Sequence, residues 1–476
     1  MRITTLPAAL VSVSLLLAGC TGSTPDVDDS ASARSSAATA TPDFDVDGRA
    51  DLVVGIGEAT GRVSITYADG RTQDIEPADV RASDSPAFGR ALLARDLNGD
   101  GVTDLVIGDI GQTDAPAVFL VPGSPSGLDP AKAHGLSAPA GVTGFGAALA
   151  LAESPVRMLA VGAPGDSGPA SPGNSASPSA ESAHSGSVGG AVVTWTLDSA
   201  GLPSGDPRVL SLDSDGFPGG KAGDAFGATL AATGSWLAIG ASRRDVAGAR
   251  DAGAVYAVDL STDPWRTHEL QQGSNGASGK PQTEARFGFA LAAGEGYLAA
   301  AAPMADEGGG DAGVVQPFQL TAQGPVATGP ISPTSVGAST PAGSLFGMSL
   351  AIAHPCEGVA GLVVGAPGTA TDGVNASGAA WLTPLGDADC APRELVEGGA
   401  LGGSPTEMAS LGRAVSAWTS AGGRPDTVVL AAPGNDEEGI PGRVLTLEPP
   451  FKGPAQTTLG GIRLQEEGSL TLSPSD

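Results

Sequence analysis

Short apolar runs rich in Val, Leu and Ala recur along the chain, each bounded by Gly, Pro or Asp. Such runs predict many short strands joined by turns rather than helices. They also recur in a fixed order. Phe-Gly occurs at Phe88-Gly89, Phe145-Gly146, Phe226-Gly227, Phe287-Gly288 and Phe346-Gly347, and Leu411-Gly412 takes the next slot. Each pair opens a strand of small residues, as in Ala91-Leu92-Leu93 or Ala147-Ala148-Leu149. A second run ends in Gly162-Ala163-Pro164, Gly240-Ala241-Ser242, Ala301-Ala302-Pro303, Gly365-Ala366-Pro367 or Ala431-Ala432-Pro433. A third opens on Gly, as in Gly190-Ala191-Val192, Gly253-Ala254-Val255-Tyr256, Gly313-Val314-Val315, Gly378-Ala379-Ala380-Trp381 and Gly442-Arg443-Val444. A weaker fourth stretch leads to the next unit.

Four short strands roughly every sixty residues is the pattern of a propeller blade. One blade cannot bury both faces of its sheet, so blades must stack on neighbours and form a ring. The expected fold is all-β: a seven-bladed β-propeller of four-stranded antiparallel blades. Phe-Gly, then Gly-Ala-Pro, then Gly-Ala-Val-Tyr resembles the FG-GAP repeat of integrin α-chain propellers and their bacterial relatives. The resemblance covers residues 43–470.

Third-strand runs occur seven times if Gly61-Arg62-Val63-Ser64-Ile65 and Ala117-Val118-Phe119-Leu120 are counted, but the Phe-Gly slot is filled six times. The first blade therefore lacks its leading strand. A C-terminal strand is expected to supply it and close the ring, with Leu459-Gly460-Gly461-Ile462-Arg463-Leu464 as the candidate. The propeller domain is placed at 43–476, with a Ser/Pro/Ala/Gly-rich insert loop at 165–189.

Two loops carry candidate chemistry. The first is Asp43-x-Asp45-x-Asp47-Gly48-x-x-Asp51, and the second is Asp96-x-Asn98-x-Asp100-Gly101-x-x-Asp104. Calcium takes six to eight oxygen ligands in flexible geometry. Alternate oxygen-bearing side chains in a tight loop can point at one centre, and Gly permits the sharp turn. Arg49 and Val102 would each add a backbone carbonyl, and Asp51 and Asp104 would close the two cages. Each loop runs directly into a strand, as in the calcium-binding blades of integrins, so Ca2+ is the expected ion. The corresponding links in later blades, such as Glu153-Ser154-Pro155 and Ala293-Gly294-Glu295-Gly296, cannot wrap an ion.

Composition narrows the function. The chain of 476 residues holds 72 Gly and 38 Pro, and carries a formal charge of −28. Such a surface repels nucleic acid and anionic lipid headgroups and suits divalent cations or basic partners. Residues 1–19 read as a signal peptide, with Arg2 as its charged start and Leu6 to Leu17 as an apolar core too short to span a bilayer. Leu17-Ala18-Gly19-Cys20 resembles the bacterial lipobox, which implies a diacylglycerol thioether on Cys20 and a lipid-anchored protein on the extracytoplasmic face of the cell membrane. Acyl chains together give stable anchoring. Residues 20–42 read as a flexible tether. Cys356 and Cys390 then remain, and an oxidising compartment permits a disulfide between them.

Other motifs carry less. Gly165-Asp166-Ser167-Gly168 resembles the nucleophile loop of serine proteases but lies in the low-complexity insert. The four histidines His134, His184, His268 and His354 form no ligand pattern and are expected in exposed loops. No convergent catalytic set is visible, so the chain is expected not to be an enzyme. The integrin likeness implies a protein partner on the propeller face opposite the calcium loops. A glycan ligand is the alternative, although the five Trp (Trp195, Trp236, Trp265, Trp381, Trp418) do not share one repeat position. The expected state is a monomer.

Overall fold

The computed structural model describes residues 42–56, 60–110, 115–165, 189–339, 342–386, 390–418, 426–433, 442–448, 455–457 and 470–472. Residues 37–476 form one compact unit, and residues 1–36, a separate one, lie outside the described residues. So do the expected signal segment, Cys20, the expected tether up to residue 41, and 166–188 of the insert. Among the described residues no helix is long and apolar enough to cross a membrane.

The strands form seven four-stranded antiparallel sheets, six of them pairing in chain order. Blade 1 uses residues 52–75, blade 2 uses 88–136, blade 3 uses 148–210 and blade 4 uses 226–270. Blades 5, 6 and 7 use 290–327, 349–395 and 414–457. The leading strand of blade 1 comes from the far end of the chain, where Leu470–Leu472 pairs with Val54, Gly55 and Ile56. The ring closes as expected, but a different segment closes it. The candidate run 459–464 lies outside the described residues.

Each core cluster draws on two adjacent blades. Phe145, Leu149 and Trp195 of blade 3, for example, pack on Leu93, Val106 and Leu120 of blade 2. Val54 and Ile56 of blade 1 meet Trp418, Val429 and Val444 of blade 7, which completes the circle. Burying both faces of every sheet in this way is the main source of stability.

The repeated glycines sit on these seams. After Phe88, strand pairing skips from Phe88↔Asp109 to Ala91↔Gly108, a bulge at Gly89 and Arg90. Gly89 adopts φ +81°, and its carbonyl oxygen lies where a Cβ on Gly55 of blade 1 would be, at 2.0 Å. The Gly412 carbonyl meets Gly365 in the same way, also at 2.0 Å. Glycines that open third strands abut the next Phe-Gly or Leu-Gly pair, as Gly253 does with the Phe287 carbonyl at 2.2 Å and Gly378 with Leu411. The motif is thus a rule for backbone against backbone between blades.

In this meander the links from first to second and from third to fourth strand share one face. Second-to-third links and blade connections share the other. Both Asp-rich loops fall on the first face, and the second-to-third links of blades 4 and 5 fall on the opposite one.

Candidate metal centre

The two Asp-rich loops fold alike. In the first, Asp43 accepts the N–H groups of Asp47 (3.1 Å) and Gly48 (2.9 Å). In the second, Asp96 accepts that of Gly101 at 2.9 Å. Asp47 and Asp100 each accept the N–H two residues on, from Arg49 and Val102, at 2.8 Å. The closing carboxylates are tied most fully. Asp51 accepts Phe44 N–H (2.8 Å) and Ala68 N–H (3.0 Å). Asp104 accepts Leu97 N–H (3.0 Å) and Gly123 N–H (2.9 Å). Each closing Asp therefore joins its loop to the third-to-fourth link of its own blade.

The first loop is also sewn to blade 2. Asp43 N–H donates to Thr103 Oγ1, and Thr103 N–H donates to the Asp43 carbonyl, both at 3.1 Å. Ser124 N–H donates to the Phe44 carbonyl at 3.2 Å. Phe44 is fully buried in the core shared by blades 1 and 2. A local sequence motif thereby acts as an inter-blade joint.

The structure brings Asp43, Asp45 and Asp51 together, with one ligand oxygen of each within 4.8 Å of the others. Among the described residues no other trio of acidic, His or Cys side chains is gathered this closely, Asp96, Asp100 and Asp104 included. Burial pushes the Asp51 carboxyl up to about 6, helped by the charges of Asp45 and Asp43 and opposed by the two N–H donors. Burial likewise raises Asp104. The Asp45 side chain is 5% exposed, and its Oδ2 pairs with the Arg71 guanidinium. Its Oδ1 is buried and accepts no hydrogen bond. An orphaned carboxylate oxygen on a side chain gathered with two more carboxylates suits a hard cation. Sequence reasoning missed Arg71, which stands 26 residues from Asp45 and also pairs with Asp69 at 2.7 Å. In the second loop neutral Asn98 occupies the Asp45 position and donates from Nδ2 to Asp100 at 3.0 Å.

The FG-GAP-like repeat family matches residues 43–107, the stretch that contains both loops. The chain thus carries an FG-GAP-like repeat within a seven-bladed β-propeller. No curated protein matches its sequence. Among solved structures, the chain is similar to the acylaminoacyl peptidase of Pyrococcus horikoshii, at 9% identity and a TM-score of 0.41, over 86% of this chain and 51% of that one. It is also similar to prolyl oligopeptidase B from Galerina marginata, at 11% identity and a TM-score of 0.36, over 80% of this chain and 44% of that one. The chain spans about half the length of these two proteins.

Three further features of the propeller bear on its chemistry. Cys356 and Cys390 form a disulfide, with Cα atoms 6.2 Å apart. It links the end of the first strand of blade 6 to the third-to-fourth link, the same connection that Asp51 and Asp104 make in blades 1 and 2. The histidines differ from expectation. His134 and His268 lie in fourth strands, His354 lies near the end of the first strand of blade 6, and His184 lies outside the described residues. Lastly, a groove of about 640 Å³ runs between the outer strands of blades 4 and 5, lined by Thr267, Glu269, Gln271, Asn275 and Gln323.

Proposed function

We propose that this FG-GAP propeller is a non-catalytic binding scaffold, stabilised by calcium in its two Asp-rich loops and held at the outer face of a membrane by lipid on Cys20. Its partner is a protein received by the loops opposite the calcium face. The observation that carries the metal assignment is the buried, unpaired Asp45 Oδ1 beside Asp43 and Asp51. Asp43, Asp45, Asp47 and Asp51, with the Arg49 carbonyl, would hold one ion. Asp96, Asn98, Asp100 and Asp104, with the Val102 carbonyl, would hold the other. Calcium would supply charge neutralisation to two loops whose carboxylates crowd together, so its binding energy would appear as folding stability.

The test is calcium titration of chelator-treated protein, followed by thermal melts. Two bound ions and a raised Tm are expected; binding without any gain in Tm would remove the structural role. The partner face is tested by surface-protein capture with wild type and with residues 305–312 replaced by a Gly-Ser linker. Capture should fall on replacement, and capture that is indifferent to it overturns the choice of face. For the anchor, mass spectrometry of the exported protein should find acylated Cys20, and an unmodified thiol there rejects it.

A second reading has one observation in its favour. The groove between blades 4 and 5 presents hydroxyl, amide and carboxylate groups of the kind that bind sugars. A glycan array decides between the two, with saturable binding that Asn275→Ala abolishes favouring the glycan.

A further inference from the structure

On the face opposite the acidic loops, two arginines meet at the seam of blades 4 and 5. Arg243 follows the second strand of blade 4, and Arg286 directly precedes Phe287-Gly288 at the entry to blade 5. Backbone bonds fix both positions. Arg243 N–H donates to the Asp224 carbonyl at 3.3 Å, and Arg286 N–H donates to the Asp251 carbonyl at 3.1 Å. Glu284 and Phe287 donate to the Arg250 and Ala252 carbonyls, both at 2.8 Å. Neither arginine depends on its side chain for its place.

Their guanidinium groups lack acceptors. Arg286 Nε and Nη1 and Arg243 Nε are buried and make no hydrogen bond. Burial, and then the charge of Arg243, push the Arg286 guanidinium below its usual range, while Asp251 and Glu284 act the other way. Yet those carboxylates are held elsewhere. Arg250 pairs with Glu284 and lies 3.5 Å from Asp251. Asp224 pairs with Arg244 at 3.0 Å. Asp245 accepts Asp251 N–H at 3.1 Å and faces Lys221 at 4.0 Å. Two partly buried cations without acceptors cost stability, and the chain has 52 acidic residues to 24 basic ones with which it could have paired them.

We propose that Arg243 and Arg286 form a receptor for a carboxylate carried by an acidic peptide segment of the partner. The proposal rests on the use of this face for protein binding. A carboxylate at the seam offsets the repulsion between the two cations. Charge-assisted bonds of this kind are the stronger class, and arginine in a desolvated seam is a frequent binding hot spot. The surrounding Asp245, Asp251 and Glu284 favour a singly charged carboxylate over a phosphate dianion. The acidic surface elsewhere repels an acidic segment that misses the site.

Calorimetry with a hexaglutamate peptide at fixed ionic strength tests this on the full chain. Wild type should bind saturably, and Arg243→Gln and Arg286→Gln should each weaken binding at least tenfold. The exposed Arg266→Gln should bind as wild type does. Thermal melts guard against misfolding: both arginine variants should keep or raise the wild-type Tm, because a repulsive pair has been relieved. No binding by wild type, equal binding by all variants, or a lowered Tm with unchanged affinity overturns the receptor. Competition by inorganic phosphate at or below the peptide's own concentration overturns the carboxylate assignment. If hexaglutamate binds here but partner capture ignores this face, the protein-partner reading fails and the receptor stands.

Discussion

His354 of blade 6 and Asp426 of blade 7 are locked together: Nδ1 lies 3.0 Å from Oδ2, and the same oxygen accepts His354 N–H at 2.9 Å. Asp426 N–H returns a bond to the His354 carbonyl at 3.3 Å. Glu295 of blade 5 lies 3.9 Å from Nε2, so one imidazole faces carboxylates from the blades on both sides.

Stability should fall with rising pH because of this histidine. The hydrogen bond to Asp426, then the nearby Glu295 carboxylate, raise the imidazole from 6.5 to about 10, against the opposing effect of burial. A raised folded pKa stabilises fully below the unfolded value, and the gain is lost as pH climbs towards the folded one. Denaturation midpoints measured from pH 6 to pH 10 should drop by the equivalent of a few kcal/mol. His354→Ala should be less stable at pH 6 and flatten this slope; an equally steep slope in the variant would contradict the assignment.

Closing and middle aspartates should behave differently without metal. In chelator, Asp104→Ala strands the Leu97 and Gly123 N–H groups and should cost about 2–4 kcal/mol. Asp100→Ala removes an exposed acceptor for Val102 N–H and Asn98 Nδ2, both of which water can replace, and should cost less than about 1 kcal/mol. Urea titrations with and without calcium separate the structural role of Asp104 from ligation.

Val46 is strained. It is β-branched, 50% exposed and held at φ +62°, where the second loop has Gly99 at φ +84°. Asn tolerates this conformation better. Val46→Asn should stabilise the protein by about 1 kcal/mol and tighten the first loop's hold on calcium. Unchanged stability would mean that the loop relaxes around the valine at no cost.

Seam glycines should be intolerant whatever their distance from any site. A Cβ at Gly365 would meet the Gly412 oxygen at 2.0 Å, whereas one at Gly329 would meet nothing within 4 Å. Gly365→Ala should cost about 3 kcal/mol or more, and Gly329→Ala should be close to neutral. Comparable melts for the two would remove the close-approach explanation of the motif.

Removing residues 470–476 should expose the inner edge of blade 1 and lower Tm while promoting association. Light scattering and melts of the truncated chain check both effects. An unchanged profile would show that three strands suffice.

What the sequence disclosed was local or repeated. Gly89 and Gly365 were legible because only glycine fits where two backbones touch, and the blades repeat that demand. Asp43 to Asp51 were legible because their carboxylates bond N–H groups a few residues away. Arg71 with Asp45 was hidden because the pair meets across the sheet of one blade, and His354 with Asp426 and Arg243 with Arg286 because each meets across a seam between blades. The closing strand misled for a related reason. Leu459-Gly460 mimics the Phe-Gly signature, whereas Leu470-Thr471-Leu472 is a three-residue run whose partners lie more than four hundred positions earlier.

That separation also has a timetable. During synthesis blades 2 to 6 can each gain all four strands soon after they leave the ribosome. Blade 1 must wait, with the edge of residues 52–56 open, until Leu470–Leu472 is made. Its pairing closes the longest loop in the molecule, a step with a large entropic barrier. The first blade translated is therefore the last one finished, and a stalled or clipped nascent chain betrays itself by an unpaired strand that a chaperone or protease can detect.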